Sequence, residues 1–208
     1  MSQYFEIHPE NPQQRLIKQA VEIINDGGVV IYPTDSSYAI GCHLGDKKAV
    51  DRIRLIRQID KNHNFTLVCN DLSEISKYAV IDNMNYRLLK SRTPGPYTFI
   101  LEASREVPKR LLNPKRKTIG IRVPDHNVTS ALLDELGEPL MSSTLILPGA
   151  EYPMTDPYKI RLRLENVVDL IIDGGFSGHE PTTVIDLMEG QPAVLRQGKG
   201  DVDWLVQH

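Results

Sequence analysis

Apolar residues follow two different spacings along the chain, one typical of helices and one typical of buried strands. Residues 11–26 begin with Asn11-Pro12 and place apolar side chains at Leu16, Ala20 and Ile24, which is the i, i+4, i+8 spacing of an amphipathic helix. The run Val29 to Tyr32 has no polar alternation and predicts a buried strand. The same reasoning predicts further helices over residues 46–57, 72–78, 83–89, 127–136 and 157–164. It predicts further strands over residues 65–69, 97–101, 118–123, 140–145, 167–172, 183–187 and 193–196.

Helices and strands alternate in the first half of this order, whereas strands dominate the tail. This pattern favours an α/β or α+β fold built around one mixed sheet. A length of 208 residues is that of one large domain, so we expect a single domain over residues 1–208 with its core in about residues 10–200. Hydrophobic residues make up 40% and charged residues 25%, which excludes a disordered chain and a coiled coil.

The sequence does not support a membrane protein, a disulfide-stabilised fold or a structural metal site. No apolar run approaches the ~18 residues of a membrane span, and the first residues do not resemble a secretory signal, so we expect a cytoplasmic protein with no membrane partner. Cys42 and Cys69 lack a metal-ligand spacing and are expected to be small buried residues. The six histidines are scattered, so we expect no structural metal.

Charge is segregated along the chain although the net charge is only −3. Residues 47–61 hold six basic and two acidic side chains, and residues 105–122 hold seven basic and one acidic, which leaves the rest of the chain strongly acidic. If the two segments meet in the fold, they form a basic surface suited to nucleic acid or a triphosphate. If they remain apart, they are two ordinary solvated faces.

The common nucleotide and hydrolase motifs are absent. The chain has no G-x-x-x-x-G-K-[ST], G-x-G-x-x-G, H-E-x-x-H or G-x-S-x-G, which argues against a P-loop, a dinucleotide-binding fold, a zinc protease and an α/β-hydrolase.

Hydroxyl groups and arginines instead mark several strand ends. Tyr32-Pro33-Thr34-Asp35 places a hydroxyl and a carboxylate where a buried strand stops, either for a ligand or only to close the turn. Thr118 and Arg122 lie four residues apart on one strand, so they share a face that can hold an anion or face solvent. Thr182-Thr183 and Arg196 repeat the pairing near the C-terminus.

Together these segments resemble the YrdC-like superfamily of the threonylcarbamoyl-AMP synthase type. The resemblance is carried by five ordered motifs between about residue 10 and residue 200: Tyr32-Pro33-Thr34-Asp35 with Tyr38 and Gly41, Pro94 to Leu101, Ile121-Arg122-Val123-Pro124, Pro181 to Asp186, and Leu195-Arg196-Gln197-Gly198. The stretches Tyr4 to Pro9, Arg57-Gln58-Ile59 and His63 to Leu67 are similar to the YciO branch of bacterial proteins.

The resemblance implies a twisted mixed-sheet sandwich with a large, concave, positively charged cavity. It also implies an enzyme that joins L-threonine, bicarbonate and ATP, with Mg²⁺ on the phosphates, into threonylcarbamoyl-AMP for tRNA modification. By matching position, it implies threonine-binding roles for Thr34, Tyr38 and Arg122. It implies nucleotide-binding roles for Arg57, Thr118, Thr144, Thr183 and Arg196. It assigns no catalytic residue.

Three departures from the synthase pattern predict weak or altered activity. The K-x-R motif is here Arg57-Gln58-Ile59, so one cation is replaced by an aliphatic side chain. The S-x-N motif is here Thr144-Leu145-Ile146, so the amide is lost, and Asn70 stands where the synthases have a histidine. Because a charged hydrogen bond contributes roughly 1.5–3 kcal/mol, these losses weaken transition-state binding by several powers of ten.

Two other functions remain open. The protein could be a non-catalytic binder of double-stranded RNA or tRNA that uses the basic cavity, or a protein that binds another acylatable metabolite. The residues expected to contact RNA or another polyanion are Arg54, Lys61, Lys115, Arg116 and Lys117.

Overall fold

A ten-stranded mixed sheet forms the centre of the molecule. The computed structural model describes residues 1–60, 63 and 65–205. In chain order the strands are β1 (Gln3–Glu6), β2 (Val30–Tyr32), β3 (Ala39–His43), β4 (Thr66–Val68), β5 (Tyr97–Glu102), β6 (Thr118–Arg122), β7 (Leu140–Thr144), β8 (Leu170–Asp173), β9 (Thr183–Asp186) and β10 (Ala193–Arg196). The order across the sheet is β1-β8-β2-β3-β7-β4-β6-β5-β9-β10. Four neighbouring pairs are parallel and five are antiparallel, which confirms the predicted mixed sheet.

Within the described residues, six α-helices pack on the two faces of the sheet, and each lies where the sequence predicts a helix. They are α1 (Gln14–Asn25), α2 (Lys47–Arg57), α3 (Leu72–Tyr78), α4 (Asn83–Arg92), α5 (Asn127–Leu136) and α6 (Pro157–Leu164). An aspartate side chain accepts hydrogen bonds from backbone N–H groups at the start of four of them, namely Asp46, Asp71, Asp82 and Asp156. The first helix begins at Gln14 rather than at Pro12, and Gly137 ends α5 with a φ of 71° as expected.

The two faces of the sheet are covered unequally. On one face, α2, α3, α4 and α6 bury a large apolar cluster that includes Ile40, Leu67 and Phe99. On the other face, α1 and α5 pack on each other and on β1, β8 and β2, and their apolar cluster also includes Ala39, Val68 and Leu140 at the ends of β3, β4 and β7. The strands beyond them carry small and polar residues on this second face, so the sheet forms the floor of an open cavity there.

Two strands were not predicted. β1 is four residues long and pairs in parallel with β8, more than 160 residues away. β3 is the return strand of a hairpin with β2, and its Gly41 is a weak strand former. Both form because neighbouring strands complete their hydrogen bonds. Cys42 and Cys69 are buried free thiols, as expected. No helix within the described ranges is both long and apolar enough to cross a bilayer.

Candidate functional site

The uncovered half of the second face holds a cavity of about 230 Å³. Side chains from seven strands, from the end of α2 and from the segments beside these elements line it, and no lining residue is an aspartate or glutamate. The lining residues are Ser37, Ala39, Arg57, His63, Thr66, Thr98, Ile100, Arg122, Ser142, Ser143, Thr144, Ile146, Thr182, Val184 and Arg196. Hydroxyl groups and guanidinium groups therefore supply most of its polar surface.

Small residues keep the floor of the cavity low. A Cβ added to Gly120 on β6 would lie 2.9 Å from Thr66 Oγ1 and 3.3 Å from Thr98 Cγ2, so any side chain there would displace its neighbours. Ser142 on β7 is held by a 2.6 Å hydrogen bond with the buried hydroxyl of Tyr32. Burial raises the pKa of Tyr32 to about 12, so this phenol stays protonated.

Arg57, the last residue of α2, brings a guanidinium group to the cavity. Its Nε donates to Ile146 O at 2.8 Å, and its Nη1 donates to the hydroxyl of Ser143. No carboxylate in the part of the chain that the structure describes forms an ion pair with it. Burial without a compensating anion lowers the pKa of Arg57 to about 10, which leaves it charged at neutral pH.

Arg196, the last residue of β10, supplies a second guanidinium group. It donates to Thr182 O from both Nε (3.2 Å) and Nη2 (2.9 Å), and the Thr182 hydroxyl bonds to that of Thr98 at 2.8 Å. As with Arg57, no described carboxylate forms an ion pair with Arg196. Partial burial lowers its pKa, again with no opposing carboxylate. These two cations are held in place but not neutralised.

Arg122 differs from them because it is neutralised. Its Nη2 donates to a carboxylate oxygen of Asp35, and only 8% of the Arg122 side chain and 10% of the Asp35 side chain are exposed. The second oxygen of Asp35 accepts from the backbone N–H of Asp125 at 3.0 Å. Asp35 therefore fixes an arginine in the cavity wall.

His63 approaches the same group of side chains. Its Nε2 lies 3.4 Å from the hydroxyl of Ser143, and its ring packs edge-on against Phe65. Burial lowers the pKa of His63 to about 4, and the charges of Arg57 and Arg196 act in the same direction. The imidazole is thus neutral at physiological pH.

The structure gathers four of the residues implied by the resemblance, Arg57, Arg122, Thr144 and Arg196, around this cavity. Two others, Thr34 and Tyr38, are buried behind its wall. The Thr34 hydroxyl donates to Ser37 O at 2.6 Å and accepts from two backbone N–H groups of its own turn. The Tyr38 hydroxyl donates to Gly175 O at 2.7 Å.

Thr118 and Thr183 also do not line the cavity. Thr118 shares the cavity face of β6 with Arg122, but four residues of strand separate the two by about 13 Å. Thr183 points to the opposite face from Thr182, and its hydroxyl donates to Gly200 O at 2.6 Å and accepts from Gly198 N. Thr183 thus supports the segment that follows Arg196. The binding roles implied for these residues stay predictions.

The two basic segments do meet, through Arg54 and Arg110. Arg54 donates to Arg110 O at 3.0 Å, and Arg110 donates back to Gly45 O. Several of their charges are already paired, because Arg54 contacts Asp51 and Arg116 contacts Asp186 at 2.6 Å.

Lys115, Arg116 and Lys117 form an exposed turn. Lys61, the remaining cation expected to contact RNA, lies outside the described residues.

Sequence reasoning left several lining residues unassigned. Ser142 and Ser143 belong to a predicted strand, but a strand pattern does not tell which hydroxyls face a cavity. Thr182 was noted as the neighbour of Thr183, and His63 as one of six scattered histidines and as the start of a stretch similar to the YciO branch. The sequence gives no local signal that the charge of Arg196 acts on His63, because the two residues are far apart in the chain.

The described residues bring together no group of three or more His, Cys, Asp or Glu side chains that could hold a metal ion.

Comparison with known proteins matches this arrangement to one family. The sequence model of the Sua5, YciO and YrdC proteins, described as "Telomere recombination", matches residues 22–198. The chain belongs to this family. It is 59% identical to YciO of Escherichia coli K12 over 202 residues, which cover 97% of this chain and 98% of YciO. The crystal structure of E. coli YciO superposes with a TM-score of 0.95 over 98% of both chains.

The family also contains enzymes. A threonylcarbamoyl-AMP synthase of Vibrio vulnificus YJ016 is 28% identical over 186 residues, which cover 88% of this chain and 98% of the synthase. The crystal structure of P. abyssi Sua5 complexed with L-threonine superposes with a TM-score of 0.87 at 26% identity, over 95% of this chain and 58% of Sua5. The protein is thus a YciO-like member that is homologous to a threonylcarbamoyl-AMP synthase.

Proposed function

We propose that this protein is an ATP-dependent enzyme of the threonylcarbamoyl-AMP synthase type, with weaker activity than the synthases. Its substrates are L-threonine, bicarbonate and ATP, the last bound as its Mg²⁺ complex. The proposal is supported by homology to the Vibrio enzyme and by the likeness to a Sua5 structure that contains L-threonine.

The observation that carries the proposal is the pair of unneutralised guanidinium groups, Arg57 and Arg196, in one cavity. Arg57 is half-buried and Arg196 is exposed, and neither guanidinium group is neutralised by a described carboxylate, so both can pair with a bound anion. Hydroxyls of Thr98, Thr144 and Thr182 add neutral donors around them. This combination fits phosphate oxygens without requiring a P-loop.

The reaction requires the three substrates to be held beside one another, with the attacking carbamate oxygen in line with the phosphorus–oxygen bond that breaks. The amine nitrogen of threonine forms a bond to the carbon of bicarbonate, water leaves, and a carbamate results. A carbamate oxygen then attacks the α-phosphorus of ATP as the bond to the β-phosphate oxygen breaks and pyrophosphate departs. Arg57 and Arg196 would stabilise the charge on the leaving pyrophosphate. Arg122, which lies in the cavity wall, would bind the carboxylate of threonine.

Magnesium would be carried on the triphosphate oxygens. The carboxylate of Asp35, which holds the wall residue Arg122, already accepts hydrogen bonds from Arg122 and from Asp125 N. The cavity therefore offers hydroxyl oxygens rather than a carboxylate cage.

Two replaced residues account for the expected weak activity. Ile59 packs on the apolar cluster of the first face, so it does not replace the lost cation within the cavity. Ile146 lines the cavity and offers only its backbone oxygen to Arg57. The loss of a cation and an amide reduces the polar contacts available to a nucleotide.

The test is synthesis of threonylcarbamoyl-AMP from labelled bicarbonate, L-threonine and Mg-ATP. We expect product with the wild type and at least a tenfold lower rate with Arg196→Ala, because a charged hydrogen bond contributes roughly 1.5–3 kcal/mol. Arg163→Ala, which removes an exposed arginine of α6, is the matched control and should keep the wild-type rate. A folded wild type that neither forms product nor binds ATP would overturn the proposal.

RNA binding is a second candidate, because the two basic segments are joined through Arg54 and Arg110. The exposed turn at Lys115 and Lys117 would contact phosphates of double-stranded RNA or tRNA. Such binding must weaken steeply with salt. Replacing both lysines by alanine should lower the slope of log K against log salt by about 2. RNA binding that does not depend on salt concentration would contradict this candidate function.

A further inference from the structure

His63 is the only titratable group among the described cavity-lining residues that can change its charge near neutral pH. His63 begins a stretch that is similar to the YciO branch, but neither the five ordered motifs nor the implied binding residues include it. Its Nε2 faces the hydroxyl of Ser143, which already accepts a hydrogen bond from Nη1 of Arg57. The Ser143 hydrogen is therefore free to point at His63, and a ring nitrogen can accept it only when that nitrogen carries no proton. The hydrogen-bond chain from Arg57 through Ser143 to His63 fits a neutral imidazole.

The charges around the ring have the same effect. Among the described residues, the charged groups that act on His63 are Arg57, Arg54 and Arg196, which oppose its protonation, and Asp60, which favours it. These residues belong to α2, to the segment that follows it and to β10. Arg57 and Arg196 are also the two cations without a carboxylate partner. An anion bound between them would cancel the charges that keep His63 neutral.

We propose that His63 is a third, proton-dependent cation of the anion site, neutral in the free protein and protonated when a phosphate-like dianion binds beside Arg57 and Arg196. This inference rests on the proposed nucleotide-binding role of the cavity and adds a linked proton to it. The proton comes from solvent and binds Nε2, so the ligand loses nothing and no bond in it changes. Nε2–H then donates either to the anion or to Ser143 Oγ.

The step has a thermodynamic consequence. Where the free ring is neutral and the liganded ring is charged, each anion that binds takes up one proton. The association constant then rises about tenfold for each unit by which pH falls in that window. Above the window the third cation is absent, and only Arg57 and Arg196 hold the ligand.

The direct test follows the C2 proton of His63 by NMR during a pH titration, without and with saturating sulfate. Sulfate is the probe because its own charge is constant in the range where histidine titrates, about pH 5–8. We expect sulfate to raise the midpoint of the His63 signal by more than one pH unit. The C2 signal of the exposed His179, which does not line the cavity, provides an internal control.

Two variants extend the test to binding. Gln cannot be protonated, so the sulfate affinity of His63→Gln should change little between pH 7 and pH 4.5. The wild-type affinity should rise about threefold over the same range for a midpoint that moves from about 4 to about 5. His179→Gln should behave as wild type. The same comparison with ATP checks the result on the proposed substrate.

The possible outcomes separate this inference from the proposed function. If sulfate and ATP bind but the His63 midpoint does not move, the inference is overturned and the nucleotide site stands. If neither anion binds in the cavity of the folded protein, both are overturned. If His63→Gln keeps the wild-type pH dependence, another group takes up the proton and the assignment to His63 is wrong.

Discussion

Removing the carboxylate of Asp35 should destabilise the protein by about 3 kcal/mol. Asp35→Ala leaves the Arg122 guanidinium in a wall where only 8% of its side chain is exposed. Arg122 Nε already has no hydrogen-bond partner among the described residues, and the Ser36 hydroxyl, 3.4 Å from Nη1, is a neutral acceptor that cannot replace the lost charge. Removal of one partner from a buried pair costs about 3–5 kcal/mol. We expect the lower end because Arg122 borders the cavity, where solvent can approach.

Urea unfolding of the variant measures this loss, and two further variants show its cause. Asp35→Ala combined with Arg122→Met removes both charges and should recover most of the stability, since paired removal is often nearly neutral. Glu165→Gln breaks the half-exposed pair with Arg161 and should cost less than about 1 kcal/mol. A loss below about 1 kcal/mol for Asp35→Ala, or a double variant no more stable than the single one, would refute the reasoning.

The same substitution should have the opposite effect on anion binding. Without Asp35, the cavity gains a third guanidinium group that has no carboxylate partner. Sulfate should then bind Asp35→Ala several-fold more tightly than wild type, measured by calorimetry under conditions where both are folded. Weaker or equal binding would show that Arg122 loses its position when the carboxylate is removed.

Three further predictions concern single positions. A Cβ at Gly198 would lie 2.1 Å from Pro181 O and 2.7 Å from Thr182 O, so Gly198→Ala must displace the segment beside Arg196. We expect the free energy of unfolding in urea to fall by about 2 kcal/mol and sulfate binding to weaken at least tenfold. Phe99→Ala removes a fully buried ring and should cost about 3–5 kcal/mol; a loss under 1 kcal/mol would contradict its place in the core. The pKa of His63 is lowered to about 4, so below about pH 6.5 the unfolded chain binds a proton that the folded chain does not, and stability falls as pH falls. Between pH 7 and pH 5 the wild type should lose about 1–2 kcal/mol more than His63→Gln, and equal losses would contradict this.

The helices were predictable because each contains its own signal. In α1, residues Ile17, Ala20, Val21 and Ile24 are buried and repeat at helical spacing, so the apolar pattern alone defines the element. The order of strands has no such local signal. The pairing of β1 with β8 and of β3 with β7 joins residues about 100 or more positions apart. β1 and β3 were therefore missed, since their stability comes from those neighbours.

The candidate site was predictable only in part for the same reason. The resemblance supplied Arg57, Arg122, Thr144 and Arg196, because these positions stand in ordered motifs. The alternation of a strand shows that Thr182 and Thr183 face opposite ways, but not which one faces the cavity. That choice depends on the register of β9 against β5, where Thr183 lies opposite Tyr97 and Val184 opposite Thr98.

The placement of carboxylates divides the cations of this protein into two kinds. Arg122 and Arg116 each have an aspartate partner, so their charges contribute to the fold. Arg57 and Arg196 are held only by backbone oxygens and hydroxyls, which orient a guanidinium group without cancelling its charge.

The partial burial of Arg57 without a carboxylate partner disfavours its charged form in the free protein. An anion that binds beside it only in the folded state compensates for that burial and stabilises the fold by an amount that grows with its concentration. The same uncompensated charge thus contributes to the binding of an anionic substrate, which is why the cavity is the part of the fold most closely tied to function.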